Sequence, residues 1–190
     1  MRRTRKRRGT RQRRLFHEQL EDRRLLNADP GWLFGIGGAY MRDVETDSQG
    51  NVYIVGKTTS SPNDFDPGNG DLVAELPPST PFIAKYTGDG TLLWLQAITT
   101  TQSEDHPGAW ANEAALDPEG NIYVAGSFWE NATFGSETLT SQGESDLYVS
   151  KLDSEGNFLW TVTAGATESD KVLGVVADTL GNIYFTGRFG

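Results

Sequence analysis

Apolar residues gather along this chain in short runs separated by Gly- and Asp-rich steps. Val52-Tyr53-Ile54-Val55 is apolar without a break, and Ile122-Tyr123-Val124-Ala125 and Ile183-Tyr184-Phe185 resemble it. Runs this short, rich in β-branched and aromatic residues and bounded by turn formers, predict strands. Their lack of polar alternation predicts that both faces of each strand are covered. No helical period competes after residue 29.

The step before each run is a fixed phrase. Asp47-Ser48-Gln49-Gly50-Asn51 returns as Asp117-Pro118-Glu119-Gly120-Asn121 and as Asp178-Thr179-Leu180-Gly181-Asn182. Asp first and Gly fourth suit a type I turn, with Asp capping the backbone and Gly taking a positive φ. A glycine follows each Asn five places on, at Gly56, Gly126 and Gly187. Asn51 and Asn121 are 70 residues apart, and Asn121 and Asn182 are 61 apart. A second phrase keeps step. Phe82-Ile83-Ala84-Lys85-Tyr86 with Leu92-Leu93-Trp94 matches Tyr148-Val149-Ser150-Lys151-Leu152 with Phe158-Leu159-Trp160, displaced by 66 residues.

Each unit therefore predicts four antiparallel strands: an entry strand (39–46, 110–116, 171–177), the Asn-Val/Ile-Tyr strand, the Lys strand and the Trp strand. Self-similarity at long period is the mark of a repeat fold. Four-stranded units stacked about an axis cover both faces of their middle strands, which predicts a β-propeller. The excess over a compact repeat falls in two stretches, 58–80 and 129–143, read as variable loops of the kind that carry binding. With a worn copy of the Trp phrase at Gly31-Trp32-Leu33-Phe34, eleven strands are expected. That is about two full blades plus partial blades at each end, an all-β incomplete propeller. Such an arc predicts either a segment of a larger propeller or self-association that completes a ring.

The phrase D-x-x-G-N-[VI]-Y-x-x-G, followed by F/Y-x-x-K and L-W, resembles the SBBP-type β-propeller repeats of bacterial exported proteins. The resemblance covers about 31–190 and implies fold more than activity. It also implies that the recurring Asn51, Tyr53, Lys85 and Trp94 are scaffold.

Charge divides the chain. Residues 1–28 carry eleven Lys or Arg and three acidic residues, net +8, while the rest carries six basic and 23 acidic residues, net −17. Such asymmetry predicts a separate role for the head. Clustered Arg fits phosphate binding, although the acidic body repels the same polyanion, so no nucleic-acid partner is expected. A secretory signal needs a longer apolar stretch than Leu15-Phe16 or Leu25-Leu26 provides, and no stretch is long enough to span a membrane. Leu20-Glu21-Asp22-Arg23-Arg24-Leu25-Leu26 resembles the L-E-x-R-x-L-L motif at the start of planctomycete extracellular proteins. That resemblance implies an export or surface-targeting head (1–28), disordered or a short helix, before a partial propeller (29–190), and a bacterial extracellular or cell-surface location.

Candidate chemistry is sparse. The chain has no cysteine, which removes disulfides, thiolate metal sites and cysteine nucleophiles. Asp64, Asp66 and Asp71 place oxygen ligands at near-alternate positions in a Gly-rich stretch, which suits a hard cation such as Ca²⁺. His106 stands without a second histidine in the body, and Ser145, Asp146 and Asp170 therefore offer no triad. Trp110 and Trp129 do not recur between units and are the candidate ligand platforms for a protein or carbohydrate. The expected function is a binding or structural scaffold without catalytic residues. The alternatives are a polysaccharide-acting propeller hydrolase or lyase, and a nucleic-acid binder acting through the Arg-rich head.

Overall fold

In the computed structural model, residues 35–66, 73–74, 76–101 and 108–190 are described. They lie within the unit Gly31–Gly190. The first repeat contributes β1 (Ala39–Thr46), β2 (Val52–Thr58), β3 (Asn63–Asp64), β4 (Val73–Ala74), β5 (Pro81–Tyr86) and β6 (Leu92–Ala97). After β7 (Thr99–Thr100) the second contributes β8 (Ala109–Leu116), β9 (Ile122–Phe128), β10 (Asn131–Phe134), β11 (Glu137–Thr140), β12 (Asp146–Leu152) and β13 (Phe158–Ala164). The third begins with β14 (Lys171–Ala177) and β15 (Ile183–Arg188). The described residues contain no helix.

The strands assemble as blades. One antiparallel sheet runs β1-β2-β5-β6, a second runs β8-β9-β12-β13, and β14-β15 form a two-stranded third. These are partial propeller-like blades, as the repeat implies, and none closes on itself. The central strands are buried along nearly their whole length, from Tyr53 to Thr58 in β2 and throughout β9. This is why those runs carry no polar alternation.

The turns explain the fixed phrase. The amide of Gly50 donates to the Asp47 carbonyl and the Asp47 amide to the Asn51 carbonyl, both at 3.0 Å, with Gly50 at φ 83°. The same pair of bonds recurs at 87–91, 117–121, 153–157 and 178–182. A type I turn closed by a residue of positive φ suits the strand twist, and glycine takes that φ at no steric cost.

The second repeating glycine has another cause. Each entry strand bulges, between Met41 and Asp43, Ala111 and Glu113, and Val172 and Gly174. The bulge brings the carbonyls of Tyr40, Trp110 and Lys171 onto Gly56, Gly126 and Gly187, where a Cβ would collide with them.

Two readings of the connections need correction. Residues 129–143 are not a loop. β10 and β11 form a hairpin, and β10 pairs on its other side with β7. Within 58–80, β3 pairs with β4, and Phe65 packs at 4.8 Å on Phe82 to cover the first blade. The described parts of both stretches add strands to the blades, and their buried residues Phe65 and Phe134 pack against blade aromatics.

Packing between blades forms the core. Tyr53, Val55 and Ile83 of the first blade share one cluster with Ala111, Ala114, Ile122 and Val124 of the second. Ala115, Ala125 and Val149 of the second share another with Val172 and Val175 of the third. Each fully buried Val or Ile contributes about 1.5–3 kcal/mol, so the faces between blades are a main source of stability.

Candidate functional site

The three Asp turns stand side by side at one end of the blade stack, around a cleft of about 530 Å³. Glu45, Asp47, Asp117, Glu119, Glu155 and Asp178 line it, together with Lys85.

The three aspartates among these are bound within their own turns. Asp117 Oδ1 accepts from the amides of Glu119 (3.1 Å) and Asn121 (2.9 Å), and Oδ2 accepts from the Asn121 side chain (2.8 Å) and the Tyr123 hydroxyl (3.1 Å). Lys151 adds an ion pair at 3.2 Å. Burial works against ionisation of Asp117. The bonds from Asn121, Lys151 and Tyr123 outweigh it and hold the pKa below the usual carboxylate range. Asp47 repeats the arrangement with Asn51, Tyr53 at 3.4 Å and Lys85 at 3.9 Å, and its pKa is also lowered. Asp178 repeats it with Asn182 and Tyr184. All three tyrosines of the recurring phrase thus bond to the Asp of their own turn, although Tyr53 and Tyr123 are buried and Tyr184 is exposed.

The same constellation joins one blade to the next. Trp94 Nε1 and Lys85 Nζ each donate to the Ser154 carbonyl at 3.0 Å, and the Tyr53 hydroxyl donates to the Gly120 carbonyl at 3.2 Å. Asp43 Oδ2 accepts from the Ala114 amide at 2.9 Å. Glu45 and Glu113 have raised pKa values, first because they are partly buried and then because Asp43 is near both. The lining is therefore acidic and held in place from behind. It offers carboxylates to solvent, with the buried Lys85 behind them and the Ser154 hydroxyl donating to Glu155 Oε1 at 2.8 Å.

The residues singled out from sequence fall elsewhere. Asp64 pairs with Val73 in β3-β4, and its Oδ1 accepts the Asp66 amide at 3.1 Å. Asp66 is buried, and Asp71 lies outside the described residues. Trp110 lies under two cations, with Lys57 Nζ 3.9 Å and Arg42 Cζ 4.6 Å from its ring centroid. Burial, and then Arg42, holds the Lys57 pKa down to about 8. Trp129 follows β9, and its amide donates to the Gly108 carbonyl at 2.8 Å. The ladder puts the two tryptophans at diagonal positions on one end of the sheet. His106, Trp32 and the Arg-rich head also lie outside the described residues. Among the described residues no three His, Cys, Asp or Glu side chains are grouped to hold a metal. No helix there is long and apolar enough to cross a membrane.

Asp146 and Asp170, set aside in the sequence reading for want of a triad histidine, come together as a pair. Asp146 and Asp170 are both almost fully buried, and a Cβ on Gly165 would strike oxygens of both. Asp146 Oδ1 has no hydrogen-bond partner. Burial first, and Asp170 second, raise the Asp146 pKa. The 66-residue repeat carried the available signal, since Thr80 holds the equivalent place in the first blade.

Comparison with known proteins gives two results. Residues 11–30 match a family described as planctomycete extracellular. An uncharacterized WD repeat-containing protein of Acanthamoeba polyphaga mimivirus is 24% identical over 114 residues. The alignment takes in 53% of this chain and spans 8% of the viral protein's length. Together with the blades, these matches support a repeat-built, generic binding module whose head is of an extracellular type.

Proposed function

We propose that the chain is an exported or cell-surface module of the SBBP type of β-propeller repeat, serving as a binding and structural scaffold. In this reading residues 1–28 direct export or surface targeting, and residues 29–190 are a partial propeller that meets a protein or carbohydrate ligand. One observation carries the scaffold reading. The recurring Asp, Asn, Tyr, Lys and Trp side chains spend their polar atoms on their own turns and on the next blade's backbone, as in the Trp94–Ser154 bond. Residues committed in this way are framework. What differs between repeats, including Trp110, Trp129 and the β10-β11 hairpin, is where a ligand would be selected.

The test is surface display. An epitope-tagged full chain is expressed in a planctomycete host, and intact cells are treated with protease. The expected result is loss of the tag from intact cells, and its protection when residues 1–28 are deleted. A full-length chain that stays protected until lysis contradicts the reading.

A further inference from the structure

Two faces of this molecule are apolar, exposed and built on the same plan as the faces that already meet between its blades. The repeat offset makes the correspondence residue by residue. At the first junction, blade two presents Ala111 and Ala114 to blade one. At the second, blade three presents Val172 and Val175 to blade two, at the same places in the repeat. The equivalent residues of blade one are Met41 and Val44, and Val44 is 60% exposed.

The opposite face behaves in the same way. Ala115 and Tyr123 of blade two are buried, Ala115 within the cluster that blade three completes. Their counterparts in blade three, Val176 and Tyr184, are 59% and 58% exposed. A third pair adds charge. Lys57 of blade one lies over the Trp110 ring of blade two. Lys57 lies opposite the entry-strand residue Tyr40 in the ladder, as Ser127 lies opposite Trp110 and Arg188 opposite Lys171. By that register Arg188 stands where Lys57 does, and exposed Tyr40 stands where Trp110 does.

We propose that a second copy of this chain docks head to tail, its Tyr40–Met41–Val44 face covering the Val176–Tyr184–Arg188 face of the first. The contact would follow the apolar plan of the two junctions within the molecule, with Arg188 over the partner's Tyr40 as Lys57 lies over Trp110 at the first of them. The faces that hide Ala, Val and Tyr between blades carry Met41, Val44, Val176 and Tyr184 where they are exposed, although blade one has Glu45 at the Ala115 position, and association removes that surface from water. The contact is heterologous, so one copy uses two different patches. The inference rests on the blade architecture and is independent of surface display: loss of association would leave the protease result unchanged, and the reverse holds too.

The two-patch geometry supplies the test. Full-length protein, Val44→Glu and Val176→Glu are compared by size-exclusion chromatography with light scattering in buffer of moderate salt. Both positions are exposed, and circular dichroism checks that each variant folds. The unsubstituted chain is expected to associate with rising concentration, and each variant alone to run as a monomer. An equimolar mixture of the two variants retains one intact pair of faces, Val176 of one copy against Val44 of the other, so it yields a discrete dimer. A monomeric unsubstituted chain overturns the proposal. So does association that survives either substitution, or a mixture of folded variants that stays monomeric.

Discussion

The indole N–H of Trp94 donates to the carbonyl oxygen of Ser154 at 3.0 Å, tying the outer strand of one blade to a turn of the next. The Trp94 ring meets Tyr53 edge-on at a centroid distance of 6.0 Å, and a Cβ on Gly156 would fall 2.8 Å from the indole. Trp160 holds the same place in the second blade. It packs on Tyr123 at 5.9 Å but remains 39% exposed. The two substitutions should therefore differ. Trp94→Ala is expected to cost about 2–3 kcal/mol, and Trp160→Ala under about 1 kcal/mol, in urea unfolding. Equal losses would mean that the Ser154 contact contributes little.

Gly126 separates close approach from mere flexibility. A Cβ there would strike the Trp110 carbonyl and come within 2.8 Å of the Tyr148 ring. Gly126→Ala is expected to cost about 2–4 kcal/mol, because backbone must move to admit the methyl. At Gly37 nothing lies within 4 Å of the added carbon. Gly37→Ala should be neutral or stabilise by up to about 1 kcal/mol. Thermal melts of the two variants decide the matter.

Asp117 gives an acid signature. Its pKa is lowered in the folded state, burial opposing ionisation and the bonds from Asn121, Lys151 and Tyr123 prevailing. A lowered carboxylate pKa contributes stability that is full above the unfolded value of about 4 and is lost as pH falls through the folded value. Asp117→Asn should therefore cost about 1–3 kcal/mol at neutral pH, because Lys151 loses its partner at 3.2 Å. The gap should close as the pH falls well below 4. A gap that is constant with pH would show that the carboxylate charge is not what matters.

Asp146 has the opposite sign. Burial and the neighbouring Asp170 raise its pKa, so the folded state holds the proton more tightly than the unfolded chain. The resulting cost is present at neutral pH and disappears below the unfolded value of about 4. Asp146→Asn retains an acceptor for the Gln142 amide, now 3.1 Å from Oδ2. It should raise the melting temperature at pH 7, with the gain vanishing below about pH 4. A lower melting temperature at pH 7 would show that the charge is needed.

Much of the fold was legible because the repeated residues do local work. Asp47, Gly50 and Asn51 satisfy one another within five residues, so the phrase itself announces the turn. β1 and β14 span 39–46 and 171–177 as read, whereas the second strands run on to Thr58 and Phe128 beyond the apolar runs that marked them. The β10-β11 hairpin was hidden because its residues, Asn131-Ala132-Thr133-Phe134 and Glu137-Thr138-Leu139-Thr140, are mostly polar and read as a loop. Its pairing with Thr99–Thr100 depends on tertiary proximity, which no local pattern encodes. The site was less legible still. Trp94 and Lys85 meet a backbone carbonyl, and a carbonyl leaves no mark on residue identity at position 154. The stacking of Lys57 and Arg42 on Trp110 joins residues far apart in sequence and likewise escaped local reading.

The central claim is that successive repeats stack as blades with the Trp94 ring seated on the turn at Gly156. Proton nuclear Overhauser spectroscopy on the isotope-labelled chain tests it most directly. Strong cross-peaks are expected from the Trp94 ring protons to the Gly156 α-protons, which the ring current should shift upfield. A folded chain in which Gly156 keeps ordinary α-proton shifts and shows no contact with Trp94 would contradict the account.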